Sequence, residues 1–352
     1  MKAVVIKEQN GEVAVEERER PSPGPGQVLI RVHACGVCHS DLAVLQGAFP
    51  FVQFPLVPGH EVAGVVEEVG EGVAWPETGA RVGMPWLYSS CGHCEQCTRG
   101  EEVLCQVAPQ VTGVTTDGGY AEFMLAPAAY VAPIPDALDF ADAAPLMCAG
   151  LTVYNGLRNA GFEPGDKVAV IGLGGLGHLG VLYAKAMGAR VAVLSGSPDK
   201  EDEAKELGAE RFISEEGAAL SEALLDWEGG ANVILATAPS TQPMTDALPG
   251  LAPDGTLAVL GAAAGEISVT PMDLIGARRH LIGSPSGSRK DIRDALQFAA
   301  AHDVRPQISK RPLEDAADVL NEMHERRLRG PESRRPRFSR GGTAYDPRGS
   351  PT

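Results

Sequence analysis

The chain changes its hydrophobic texture near the middle. From residue 1 to about 150, apolar positions alternate with polar ones in short runs bounded by Gly and Pro: Lys2 to Lys7, Gln27 to Ala34, Glu61 to Val69 and Tyr120 to Ala126. Alternation at period two puts one face of a strand on a core, so this part reads as an all-β barrel or sandwich with long loops. From about Lys167 the apolar runs become continuous: Lys167 to Ile171, Arg190 to Leu194, Asn232 to Leu235, Thr256 to Leu260 and Leu281 to Gly283. Helical patterns over Leu176 to Met187 and Asp199 to Leu207 lie between them. Strands alternating with helices in this way predict a parallel, doubly wound α/β sheet. Two more helices are expected over Ser288 to Ala301, with Ser288 as N-cap, and over Leu313 to Leu328. The tail from Gly330, rich in Arg, Pro, Gly and Ser, is expected to be largely disordered.

At 352 residues the chain exceeds the usual size of one domain, which suits two domains with separate cores. Its formal net charge is -16, and the one basic cluster falls in the last thirty residues, which disfavours nucleic acid and anionic membranes as partners. No apolar run reaches the roughly 18 residues of a membrane span. Met1 to Glu8 is strand-like and lacks a signal-peptide pattern, so a cytoplasmic location is expected. In a reducing compartment the seven cysteines point to thiolates used for metal or chemistry rather than to disulfides.

Four of them, Cys91, Cys94, Cys97 and Cys105, fall within fifteen residues on a Gly-rich, polar segment. Four thiolates so close can complete a tetrahedral zinc site without help from a core, and a closed set of this kind is structural. An iron–sulfur cluster uses the same number of thiolates, and unrelated cysteines on an exposed loop would be an oxidation liability. The stretch Ala34 to Asp41 carries Cys35 and Cys38 next to His39, Ser40 and Asp41. Alone it is ambiguous between a redox pair, half of a zinc site and two buried thiols. Cys35, Cys38 and Cys148 remain outside the four-cysteine segment, and Gly59-His60-Glu61, at the entry to the run Val62 to Val69, offers an imidazole. Two thiolates, one imidazole and a water would make a zinc site of the catalytic type with a position open to substrate, whereas His60 on its own reads more readily as a hydrogen-bonded structural histidine.

Gly172, Gly174, Gly175, Leu176 and Gly177 form a GxGxxG segment straight after the run Lys167 to Ile171 and at the start of a helical pattern. In that context glycines permit a tight turn and close backbone approach, and the helix N-terminus can cradle the pyrophosphate of a dinucleotide. The alternative is a glycine-rich turn that only packs helix on strand. The residue that selects between nicotinamide cofactors is expected about 20 residues on, where an acid would accept from a ribose 2′-hydroxyl. The chain has Ser195 there, with Ser197 and Lys200 following, and hydroxyls with an ammonium suit a 2′-phosphate. NADP(H) is therefore favoured over NAD(H), although these residues also suit the start of a helix.

Taken together, Cys38-His39-Ser40-Asp41, Gly59-His60-Glu61, the four-cysteine segment, Leu146-Met147-Cys148-Ala149-Gly150 and Gly172 to His178 resemble the medium-chain zinc-dependent alcohol dehydrogenases. Pro85 to Tyr88 is similar to the bacterial and yeast-type branch, and Ser195 to Gly208 is more similar to NADP-dependent cinnamyl-alcohol-type members. The resemblance implies a GroES-like, β-rich catalytic domain over 1–151 and 289–352, with an inserted Rossmann domain over 152–288. It implies two zinc ions per chain: a catalytic one on Cys38, His60 and Cys148 with Glu61 beside it, and a structural one on Cys91, Cys94, Cys97 and Cys105. Asp41 is implied as the partner of the ligand imidazole, Thr152 as a neighbour of the nicotinamide, His39 as a cofactor phosphate contact, and Phe49 and Trp86 as walls of the alcohol pocket. Ser40, two residues past Cys38, would move the proton of the alcohol outward.

The implied activity is reversible oxidation of primary alcohols and reduction of aldehydes, in a homo-oligomer, tetramer or dimer. An NAD-dependent alcohol or polyol dehydrogenase on the same fold, a quinone reductase, and a non-enzymatic zinc protein are the rival readings. Two departures stand out. Ala43 occupies a position where relatives often place a proton-relaying histidine, and Leu328 to Arg335 lacks the Gly-Arg and apolar strand that usually close the family, with Arg329 or Arg334 as candidate substitutes for the arginine.

Overall fold

The computed structural model describes residues 1–329 and 343–345 of the chain, in two compact units. The first comprises Met1–Cys148, Gly287–Ala301 and the described residues from Pro306 on; the second comprises Ala149–Ser286 and His302–Arg305.

The first unit is built on strands β1 (Lys2–Ile6), β2 (Val13–Glu17), β3 (Gln27–Val37), β4 (Glu61–Val69), β5 (Arg81–Met84), β6 (Leu87–Ser89), β7 (Gln110–Val111), β8 (Phe123–Pro127) and β9 (Ala132–Pro133). In β3 and β4 the expected alternation places Val28, Ile30, Val32, Val62 and Val66 in one core with Val4, Met84, Met124 and Tyr120. Burying each such aliphatic side chain contributes about 1.5–3 kcal/mol. β3 is the hub: it pairs antiparallel with β4 along most of its length and with β8 through Gln27 to Arg31.

The second unit is a six-stranded parallel sheet of β10 (Lys167–Ile171), β11 (Arg190–Leu194), β12 (Arg211–Ile213), β13 (Ala231–Ala236), β14 (Leu251–Val259) and β15 (His280–Gly283), in the order β12-β11-β10-β13-β14-β15. The order reverses direction between β10 and β13, the switch point at which doubly wound sheets take ligands outside the carboxyl ends of their strands. Ala169, Ile171, Ala192, Leu194 and Ile234 pack with fully buried Leu224 and with Trp227 beneath the sheet. The expected α/β fold with a β-rich companion is thus the fold observed.

The chain returns to the first unit with β16 (Ser309–Arg311) and β17 (Thr343–Tyr345), which complete the sheet order β16-β17-β3-β4-β5-β9. The last strand corrects the sequence reading, which put no strand in the tail. Thr343–Tyr345 pairs antiparallel with Cys35–Val37 and parallel with β16. A three-residue strand is too short to show a period-two pattern, and its partner comes from the far end of the sequence. The remaining tail, 330–342 and 346–352, and with it Arg334, lies outside the described residues. The run expected over Tyr120 to Ala126 begins instead at Phe123, and Tyr120 serves the site described next. Among the described residues no helix is long and apolar enough to cross a membrane.

Candidate active site and metal centres

β3 ends at Val37, and Cys38, in an extended conformation, precedes the short helix His39–Leu45. Asp41, on the first turn of that helix, is fully buried. Its carboxylate accepts four hydrogen bonds: Cys38 N–H at 2.9 Å, Gly59 N–H at 3.2 Å, His60 Nδ1–H at 3.0 Å and Tyr120 Oη–H at 3.0 Å. Four donors offset the desolvation of a buried charge. They also orient the His60 ring: Nδ1 carries a proton toward Asp41, so in the neutral imidazole it is Nε2 that presents a lone pair. That Nε2 is buried and has no protein partner, an arrangement that costs free energy unless something accepts the lone pair.

What faces it is a ligand set. The side-chain donors of Cys38, His60, Glu61 and Cys148 all lie within 4.8 Å of one another. Cys148 is delivered by the segment Leu146–Gly150, a wide helical turn between two helices. Glu61 opens β4 opposite Gly36 of β3, and a Cβ at Gly36 would stand 1.7 Å from Glu61 Oε2, so only glycine there lets the carboxylate lie across the strand. Glu61 thus sets a carboxylate beside the two thiols and the imidazole. The hydrogen bond from Cys148, aided by His60 and opposed by burial, holds the Cys38 thiol well below its usual range. Giving that bond, together with burial, drives Cys148 well above it. Burial first, then the Cys38 charge, raises Glu61. Two thiols and a carboxylate gathered around a lone pair without a partner fit a soft divalent cation such as zinc, which would favour their ionised forms. Asp41→Asn replaces a carboxylate that accepts from four donors with an amide that must point its own N–H at one of them. Metal affinity at this site is expected to fall about 10–100-fold, read by competition with a chromophoric chelator.

The other chemistry-bearing residues of the N-terminal stretch separate. Cys35 is fully buried and is not one of the clustered donors, its thiol raised chiefly by burial. His39 is exposed. Ser40 Oγ lies 3.8 Å from Cys38 Sγ. The Trp86 ring meets His60 edge-on with centroids 4.9 Å apart, and Phe49 lies tilted against Trp86 at 5.9 Å, so these half-buried aromatics form an apolar wall beside the ligand set. Sequence reading missed Tyr120, because nothing in its pattern separates it from a core strand residue.

The second cluster is Cys91, Cys94, Cys97 and Cys105, again with donors within 4.8 Å of one another. Sulfur separations of 3.9 Å for Cys91–Cys97 and 4.0 Å for Cys94–Cys105 are close to the ~3.8 Å edge of a zinc–thiolate tetrahedron with ~2.3 Å bonds. All seven cysteines are free thiols. Backbone hydrogen bonds, foremost from Cys91 and then Ala108, hold the Cys105 thiol down at about 6. At Cys94 a backbone hydrogen bond at Cys97 works to lower the value, but burial and the hydrogen bonds to the other three thiols push it up to about 11. The lobe is tied to the helix Arg289–Ala301. Glu102 Oε1 accepts from Arg289 Nε at 2.8 Å and Nη2 at 2.6 Å, and Val103 N–H donates to Ser288 Oγ at 3.1 Å. The Ser288 hydroxyl thus serves the lobe rather than its own helix, whose start is held by Ser288 N–H on Asp291 at 2.9 Å.

In the second unit Gly172 to Gly177 forms the turn between β10 and the helix Gly175–Ala186. Gly172 has φ +87°, and a Cβ at Gly177 would stand 2.0 Å from the Gly172 carbonyl, so both are required by the backbone. Gly174 and Gly175 face open space within 4 Å, with Leu176 following on the helix. This bare cradle at a helix N-terminus fits a pyrophosphate. Thr152 is buried on the helix Leu151–Asn159 of the same unit. Ser195 Oγ accepts from Ser197 N–H at 3.3 Å, and Lys200, expected to face a phosphate, donates to the Leu173 carbonyl of the glycine turn.

The comparisons agree across both units. The family model for the alcohol dehydrogenase GroES-like domain matches residues 24–136, and that for zinc-binding dehydrogenases matches 175–301. An alcohol dehydrogenase of Geobacillus stearothermophilus is 41% identical over 94% of this chain and 98% of its own length. An NADP-dependent alcohol dehydrogenase C of Mycolicibacterium smegmatis is 39% identical over 88% and 89%. A cinnamyl alcohol dehydrogenase from Sorghum bicolor superposes with a TM-score of 0.87 at 31% identity, covering 99% and 98% of the two chains. Likeness of that extent settles the kinship: the chain belongs to the medium-chain, zinc-binding alcohol dehydrogenases, oxidoreductases that act on alcohols.

Proposed function

We propose that this alcohol dehydrogenase uses two zinc ions per chain and NADP(H) to interconvert primary alcohols and aldehydes. The observation that carries the proposal is the buried, unpartnered Nε2 of His60 among two thiols and a carboxylate. Cys38, His60 and Cys148, with Glu61 beside them, would hold the catalytic ion, and Cys91, Cys94, Cys97 and Cys105 the structural one. When bound, zinc would supply Lewis acidity toward an alcohol hydroxyl and the nicotinamide would supply the hydride chemistry.

The chain's own residues do the rest. Asp41 fixes the His60 tautomer, Trp86 and Phe49 exclude water from the carbon side, and Ser40 takes the hydroxyl proton toward solvent. Ala43 offers no group to pass it on, so the exposed His39 or water completes the exit. Gly172, Gly174, Gly175, Leu176 and Gly177 would seat the pyrophosphate, and Thr152 would neighbour the nicotinamide. Met272 and Ile275, 67% and 72% exposed, and Leu281 on edge strand β15 are exposed apolar side chains of the second unit, which supports association into a homo-oligomer, tested by sedimentation against the 36.8 kDa chain.

Metal analysis of the purified enzyme is expected to give two zinc ions per chain; one ion would leave only one of the two clusters as a metal site. The NADP(H) preference is supported by Ser195 at the place of the usual acid and by the NADP dependence named for the Mycolicibacterium relative. Ser195→Asp places a carboxylate against a 2′-phosphate, and kcat/KM with NADPH is expected to fall at least about tenfold relative to NADH. Faster turnover with NADH in the unaltered enzyme would reverse the cofactor assignment.

A further inference from the structure

The ends of β11 and β12 lie side by side: Leu194 pairs with Ile213, and Ser195 N–H donates to the Ile213 carbonyl at 3.0 Å. The loops that follow, Ser195 to Ser197 and Ser214 to Glu216, therefore leave the sheet together at the carboxyl ends of parallel strands, where doubly wound sheets bind nucleotides. Gly196 is exposed and has no side chain to cover the turn. The Glu216 carboxylate lies against it, since a Cβ at Gly196 would stand 3.3 Å from Glu216 Oε1. Its neighbour Glu215 folds back to accept Ser214 N–H at 2.9 Å. Glu216 makes no hydrogen bond or ion pair among the described residues, and Lys200, the cation that follows the β11 turn, donates to the Leu173 carbonyl.

We propose that Glu216 is a specificity-determining residue for the cofactor: beside Gly196, its carboxylate accepts from a ribose 2′-hydroxyl and repels a 2′-phosphate, and so holds down the preference for NADP(H). The β11 terminus carries a serine where an acid is usual, and the tertiary fold brings an acid to the same turn from the next loop. An ionised carboxylate is an acceptor only, which suits a hydroxyl and opposes a phosphate dianion. The inference rests on the dinucleotide-binding reading above, with Ser195 marking the ribose end.

The test is steady-state kinetics of the full enzyme with NADPH and NADH, for the unaltered chain, Glu216→Gln and Glu216→Lys, at low and at high salt. Glu216→Gln is expected to raise the NADPH:NADH ratio of kcat/KM about five- to tenfold, through a lower KM for NADPH together with a higher KM for NADH. Glu216→Lys is expected to raise the ratio further, and the gain should shrink at about 0.5 M salt because exposed charges are screened. A ratio in Glu216→Gln within about twofold of the unaltered enzyme, or equal loss with both cofactors, would overturn the inference. Unaltered enzyme that uses NADH faster would remove the NADP(H) preference alone, leaving Glu216 to be judged on the variant ratio. Glu216 is exposed, so the variants should fold, and their melting temperatures verify it.

Discussion

His60→Ala is expected to lower kcat/KM for alcohol oxidation by at least about a thousandfold and to reduce the zinc content from the proposed two ions per chain to one. The metal contributes several kcal/mol of stabilisation to the developing charge, and each ~1.4 kcal/mol is tenfold in rate. The alanine also removes a donor from the buried Asp41 carboxylate, which then keeps Cys38 N–H, Gly59 N–H and Tyr120 Oη–H but loses the imidazole. An uncompensated buried charge costs stability as well as activity. His60→Gln separates the two effects. Its amide can still donate toward Asp41 but offers no imidazole lone pair, so activity and the ion should go while the melting temperature falls less than in His60→Ala. Full retention of two zinc ions in either variant would show that His60 holds no metal.

Loss of the ion proposed for the four-cysteine lobe is expected to be the largest single insult to stability. The lobe is a short segment on the small ladder of Leu87–Ser89 with Gln110–Val111, and among its cysteines only Cys97 and Cys105 are buried. Structural zinc supplies its binding free energy directly to folding. Cys91→Ser should therefore lower the melting temperature by about 10 °C or more, at about 2–4 °C per kcal/mol for a unit of this size. Because Glu102 and Val103 hold Arg289 and Ser288, faster hydrogen exchange should spread to the start of the helix Arg289–Ala301. The pH dependence follows from the thiols. Cys105, with its folded-state pKa depressed to about 6, contributes stability that is present above the ordinary thiol value near 8.5 and is lost as pH falls through about 6. Extraction of zinc by EDTA should accelerate over the same interval, as protons compete for the thiolates. Extraction that is independent of pH between about 5 and 8 would rule out a thiolate site.

Much of this was legible along the chain because it is local. The five continuous apolar runs of the second unit, the strand Glu61–Val69, the glycine turn at Gly172 to Gly177 and the spacing of Cys91, Cys94, Cys97 and Cys105 are short-range patterns that need no tertiary partner. Boundaries moved by a few residues where packing overrode pattern, as at Tyr120, which leaves the strand register to reach Asp41.

What the sequence by itself determined is the class of chemistry and the two-part architecture, since residue type and periodicity are properties of neighbours in the chain. The tertiary structure alone decided which residues meet. It set Cys38, His60, Glu61 and Cys148 within 4.8 Å of one another and left Cys35 outside. It paired Thr343–Tyr345 with the end of β3, and it carried Glu216 to the glycine beyond β11. Each of these contacts joins positions tens to hundreds of residues apart, and only the closure of loops around a packed core makes such contacts pay back their entropy.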